Sequence, residues 1–389
     1  MKKIFLFIAI YILCTNIYGQ SIDNSKSNIQ HQIDNLKLKY APDKRVAIFE
    51  VSINSDTLIG YVNDSDAHKD VSSISNKYNL INKVKLLPDL DLDIETYGVI
   101  NLSVADIRTE AKFSAEMATQ AILGTPIRIY QKNGWYRIQT PDEYIGWTQL
   151  SSFHPMSKEV FEKWNRAEKV IFADYFGFTY SEPDRNSQTV SDAVNGNIFK
   201  YEDDLGNFYK VSYPDGKIAY IQKSQSTLLS KWKSAITLTG ESFVKESFKL
   251  MGIPYVWGGT SVKGMDCSGF TKTILFMHGI VLMRDASQQV NTGTPIDISN
   301  GYSNLKKGDL MFFGKKAEGG NKERIRHVGF YIGNNEFIHA SGSIRISSLD
   351  PSKENYDEVN TKEFVKASRI VGAVDTKGIW SIDKNPFYN

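Results

Sequence analysis

From about Tyr97 to Gln225 the chain is cut by turn residues into alternating runs of four or five residues, and runs that short fold into small, strongly curved sheets. Ile127-Arg-Ile-Tyr130 leads through Lys132-Asn-Gly134 to Trp135-Tyr-Arg-Ile138 and Tyr144-Ile-Gly-Trp147. A looser copy follows, with Asp203-Asp-Leu-Gly206, Phe208-Tyr-Lys-Val-Ser212, Pro214-Asp-Gly216 and Lys217-Ile-Ala-Tyr-Ile221. The pattern predicts two small β-barrels, over 97–153 and 165–226. After Ser226 the period turns helical: Ser242 to Gly252 carries Val244, Phe248 and Met251 on one face and stops at a glycine before Pro254. Residues 20–96 mix a short polar helical stretch with the alternating run Arg45 to Ile53, and their role is not legible. At 389 residues several domains are expected, and the fold class is α+β.

Lys2 and Lys3 precede the apolar run Ile4 to Leu13, and Gly19 follows, which is the layout of a secretory signal peptide over 1–19. The expectation is an exported chain, periplasmic or extracellular, starting near Gln20. No later segment reaches the roughly 18 apolar residues of a membrane helix, so no integral membrane segment is expected in the mature chain. Cys14 lies in the leader, with Leu13 where a lipidated cysteine would want a small residue before it. That leaves Cys267 alone and unable to form an internal disulfide: it is either a buried apolar residue or a reactive thiol. The net charge of +2 is spread without a basic block, which argues against nucleic acid as a partner. The chain is expected to act as a monomer.

The segment Gly264 to Phe270 leads into a helix with Phe270, Ile274 and Met277 on one face. Cys267 would sit in its first turn, where Asp266 or Ser268 caps free amides and the helix dipole favours a thiolate. The plainer reading of Asp266 is an N-cap without contact to substrate. A thiolate needs a base, and histidine titrates in the right range. His327 and His339 lie on adjoining strands, with Val328, Phe330 and Ile332 on one face and His327, Gly329 and Tyr331 on the other. His327 would be the base, and His339 would accept a hydrogen bond from its far nitrogen; the alternative for His339 is a core residue under the hairpin. A regular hairpin turning at Asn334-Asn335 would pair Ile332 with Phe337 and put the two histidines on opposite faces, so the catalytic reading requires a bulge, strong coiling or a shifted register. Upstream, Ile253 to Gly259 offers the Tyr255 hydroxyl, which with the Cys267 amide would steady an oxyanion, and Trp257 as an apolar wall. Both aromatics would serve equally to pack that loop on the core. This chemistry needs no cofactor or metal, and zinc-spaced ligands are absent.

Pro254-Tyr-Val-Trp-Gly-Gly259, Asp266-Cys-Ser-Gly-Phe270, Gly308-Asp-Leu310, His327-Val-Gly329 and Phe337-Ile-His-Ala-Ser341 together resemble the NlpC-type cell-wall cysteine peptidases, over roughly residues 240 to 375. Two SH3-like barrels ahead of such a domain resemble the γ-D-glutamyl-L-diamino acid endopeptidase subgroup, dipeptidyl-peptidase VI. The resemblance implies a papain-like catalytic domain over 238–376 and hydrolysis of the bond between D-glutamate and a diamino acid in peptidoglycan-derived stem peptides. It implies Cys267 as nucleophile, His327 as base, His339 as third member, and a groove lined by Tyr255, Trp257, Asp266 and Ser268. Arg284-Asp-Ala-Ser287 matches the segment after the catalytic helix, with Met283 where the family has proline, and Asp285 would contact the diamino acid. In the subgroup the first barrel selects a free N-terminal L-alanine through an acidic residue and a tyrosine, for which Glu116 and Tyr144 are chosen here; Glu110 is the other carboxylate in reach. The competing readings are a wall-binding protein that no longer cuts, and an acyltransferase or amidase on the same fold.

Overall fold

The computed structural model describes residues 27–89 and 95–389. The expected leader over 1–19, with Cys14, lies outside the described residues. The chain divides into two units, Met1–Leu92 and Asp93–Asn389.

In the first unit a helix over 27–40 is followed by the antiparallel strands Phe49–Asn54 and Thr57–Val62, the helix Ser65–Tyr78 and the strand Ile81–Leu86, which runs parallel to Thr57–Val62. The second helix starts where the Asp64 carboxylate accepts from the amides of Asp66 and Ala67, and ends at Asn79 in the left-handed region. Its Ala67, Val71 and Ile74 recur at helical spacing and join Ile29, Ile33, Leu58, Val62 and Val84 in one core. A segment without a legible role in the sequence is thus a βαβ unit with its own interior.

The second unit holds both barrels and the papain-like domain. Each barrel is a seven-stranded sheet, one from Tyr97–Ile100 to Phe153–Met156 and the other from Lys169–Phe172 to Ser226–Leu228. Between them the helix Lys158–Arg166 packs Phe161 and Trp164 on Val99 and Met156 of the first barrel. Its last carbonyls are capped by the buried ammonium of Lys169, which donates to the Trp164 and Ala167 oxygens; burial pushes that amine down to about 7.

The papain-like domain begins with the helix Gly240–Phe248, held by a capping box at Thr239 and Ser242. It buries Phe243, Val244 and Ser247, whereas Phe248 and Met251 are exposed, so the apolar face is rotated from the expected Val244, Phe248 and Met251. The helix Cys267–Phe276 lays Phe270 and Ile274 against Val328, Phe330 and Ile338 of a six-stranded antiparallel sheet. The strand Ile379–Ser381 pairs with Ile280–Leu282, which carries the domain past the expected limit at 376.

The required irregularity is present in the histidine strand, Arg324–Gly333. Phe330 pairs with Ile338 and Tyr331 with Phe337, but Gly333 pairs with Glu336, leaving Ile332 bulged. The one-residue shift sets Gly329 opposite His339, so His327, two residues before Gly329, lies diagonally beside His339 on the same face. Glycine is needed at 329 because a Cβ there would lie 2.8 Å from the Ile338 carbonyl oxygen and 3.0 Å from the His339 Cβ. Gly329→Ala is expected to cost about 1–3 kcal/mol in urea unfolding and to lower activity by displacing His339.

Candidate active site

Asp266 caps the nucleophile helix: its Oδ1 accepts from the Gly269 amide at 2.7 Å, and its Oδ2 from the Gly258 amide at 2.9 Å. Arg284, entirely buried, donates to both oxygens, at 3.1 Å and 2.6 Å. Burial alone would raise the Asp266 carboxyl, but the Arg284 charge and these hydrogen bonds outweigh it and hold the group below the usual carboxylate range. Ser268 is drawn into the same network, its hydroxyl accepting from Arg284 at 2.9 Å and donating to Asp266 at 3.3 Å. Every acceptor position on Asp266 is therefore used inside the protein. Asp266 and Ser268, expected to line the groove, are buried members of the clasp that fixes the helix start.

Cys267 is the first residue of that helix and is 7 % exposed. The amides of Ser268 and Val328 face the sulfur, so the thiol meets the histidine strand one residue from His327. The expected resting thiolate is not what this setting favours: burial, reinforced by the Asp266 charge, pushes the thiol up to about 12. The two amides and Arg284 act the other way and are outweighed, because the carboxylate that caps the helix also repels a second negative charge beside it.

His327 Nε2 is hydrogen-bonded to His339 Nδ1 at 2.7 Å, and the rings cross nearly at right angles. His339 Nε2 in turn meets the Ser347 hydroxyl at 3.0 Å. Burial pushes His327 down to about 4, with Arg326 adding to the shift, and His339 down to about 2, with His327 adding. Both rings rest neutral beside a neutral thiol. Tyr255 is half-buried, and its hydroxyl is held in the protonated, donating form by burial, with the Asp266 charge adding to the shift.

The first barrel reaches this site at several points. Trp257, 63 % exposed, donates its indole N–H to Glu116 Oε1 at 2.5 Å. The Tyr144 hydroxyl donates to Asp285 Oδ2 at 3.3 Å, and Thr119 Oγ1 accepts from Arg284 Nε at 2.9 Å. Gln120 accepts the Thr260 amide at 3.1 Å. The structure thus brings Glu116 to Trp257 and Tyr144 to Asp285, while Glu110 pairs with Lys112 on the barrel's own surface. Sequence reasoning did not assign Arg284 as the partner of Asp266, although an arginine next to the matched Asp285 was the available signal. Ser347, in an ordinary strand, gave none.

Residues 252–366 match the NlpC/P60 family and residues 107–153 the bacterial dipeptidyl-peptidase Sh3 domain. The chain is 29 % identical over 245 residues to the γ-D-glutamyl-L-lysine dipeptidyl-peptidase of Bacillus cereus, covering 61 % of this chain and 71 % of that one. It is 24 % identical to dipeptidyl-peptidase 6 of Lysinibacillus sphaericus over 67 % of this chain and 94 % of that one. The crystal structure of an NlpC/P60 family protein from Bacillus cereus superimposes with a TM-score of 0.59 at 24 % identity, covering 71 % of this chain and 99 % of that one, and so shares the fold.

Three outcomes follow from the burial of these groups. Arg284→Met is expected to destabilise the protein by about 3–5 kcal/mol in denaturant titration, since it leaves the Asp266 carboxylate buried and unpaired. The base must be neutral, so the acid limb of kcat/KM is expected below the ordinary imidazole value of 6.5, near 4. The unfolded chain protonates His327 near 6.5 and the folded one only near 4, so stability present above pH 6.5 is lost as the pH falls through 4; thermal melts across that range check it.

Proposed function

We propose that this chain, whose residues 252–366 form an NlpC/P60 cysteine peptidase domain, is an exported endopeptidase that hydrolyses the γ-D-glutamyl–diamino acid bond of peptidoglycan stem peptides carrying a free N-terminal L-alanine. The observation that carries the reading is the meeting of two parts: a thiol at a capped helix start beside a His327–His339 pair, and a first barrel that presents Glu116 and Tyr144 to the same loops. The name of the Bacillus cereus relative, a γ-D-glutamyl-L-lysine dipeptidyl-peptidase, supports the same bond.

In this reading His327 Nδ1 takes the thiol proton as the sulfur attacks the carbonyl carbon, so the ion pair forms during attack and is not stored at rest. The Cys267 amide and the Tyr255 hydroxyl donate to the oxyanion. The C–N bond then breaks, His327 returns the proton to the leaving amine, and water hydrolyses the thioester to regenerate the thiol. Glu116, oriented by the Trp257 indole, pairs with the ammonium of the terminal alanine, and an acylated terminus would leave that carboxylate unpaired. Asp285, with Tyr144, faces the diamino acid. Trp257 supplies the exposed wall of the groove.

Mass spectrometry after incubation with L-Ala-γ-D-Glu-diaminopimelate, and with its lysine and N-acetylated counterparts, tests reaction, bond and gate together. Cleavage at the γ-glutamyl bond is expected only for free amino termini, with loss of at least about 10³-fold in Cys267→Ala. Binding without cleavage would favour the wall-binding reading, and transfer of an acyl group to an added amine would favour the transferase.

A further inference from the structure

Two diagonal steps across three neighbouring strands make one line of polar contacts. His327 lies diagonal to His339 through the gap at Gly329, and His339 lies diagonal to Ser347, whose direct partner on the facing strand is Phe337. The line is dry: His339 and Ser347 are buried, with Phe313 and Phe337 packed against the imidazoles. Within it a neutral His339 carries a single N–H, and which nitrogen carries it decides what His327 can do. With the proton on Nε2, His339 donates to Ser347 Oγ, its Nδ1 accepts from His327 Nε2–H, and His327 Nδ1 keeps the lone pair that takes a thiol proton. With the proton on Nδ1, His339 donates to His327 Nε2, and His327 must carry its own proton on Nδ1, where it blocks the thiol.

We propose that Ser347 is a positioning residue for the peptidase reaction, its oxygen accepting the His339 Nε2–H and so fixing the tautomers of both histidines. The inference rests on the cysteine-peptidase reading for its kinetic consequence but not for its structural one. Ser347 moves no proton to or from substrate. The proton taken by His327 stays on Nδ1, while Nε2–H remains shared with His339. Serine suits the task because its hydroxyl accepts without adding charge, whereas a carboxylate in the same dry space would need a cation. The charged groups acting on this line are Arg326 and Arg345 on the flanking strands, Asp357 and the Asp266 cap.

Nitrogen-15 NMR of histidine-labelled protein at pH 7 reads the tautomer directly, with the His339 signals assigned by their loss in His339→Gln. The full chain is expected to show His339 as the Nε2–H form, Ser347→Ala a mixture, and Ser347→Thr the original form. In the peptide assay, Ser347→Ala should lower kcat about tenfold with KM little changed, a part of the ~10²–10⁴ that general acid–base catalysis supplies, and Ser347→Thr should restore most of it. A wild-type His339 protonated on Nδ1, or a Ser347→Ala variant with unchanged tautomer and kcat, would overturn the proposal. If Ser347→Ala fails to fold, the wild-type tautomer and Ser347→Thr still decide. An Nε2–H tautomer in a chain that cleaves nothing would sink the peptidase reading and leave only the fixing of the tautomer by Ser347 standing.

Discussion

Arg284 is wholly buried, and a guanidinium in that position persists only where carboxylates and hydroxyls take up its N–H groups. Here Asp266 takes two of them, Ser268 a third and Thr119 of the first barrel a fourth. One side chain thereby fixes the start of the helix that carries Cys267, the loop before it through the Gly258 amide, and the barrel that meets both. The position of Cys267 follows from that clasp. So does its electrostatic setting, because the carboxylate that anchors the helix also opposes a charge on the adjacent sulfur.

A neutral resting site follows. Thiol and imidazoles are each driven to their uncharged forms by burial, and the polar line from His327 to Ser347 is arranged to receive charge when it appears. Groups aimed at a transient charge in a dry site lower a barrier without reorganising, and hydrogen-bond donors such as the Tyr255 hydroxyl act most strongly where water is scarce.

Much of this was legible before the structure. The short turn-bounded runs located both barrels, and the strand alternation, with Asn334-Asn335 as its turn, showed that a regular hairpin would separate His327 from His339. That some irregularity was required was legible too; its form and place, a bulge at Ile332, were not, since a shifted register would have served the same end. The clasp was harder to foresee. Asp266 reads as an N-cap by its place before a helix, but its second partner comes from residue 284 and its third from the Gly258 loop, contacts set by tertiary packing that no local period encodes. The same holds for Ser347, one serine in an alternating strand, and for the rotated face of Gly240–Phe248, where Phe243 displaced Phe248 from the interior.

The sulfur's protonated resting state has a consequence for the lifetime of the protein. Peroxide and foreign disulfides attack thiolates far faster than thiols, and each step up the oxidation ladder from sulfenic acid takes a cysteine further from repair. A thiol that burial holds in its protonated form offers such reagents little to react with. Among the described residues no second cysteine stands ready to form a rescuing internal disulfide, so the same burial that restrains the sulfur would also preserve it chemically.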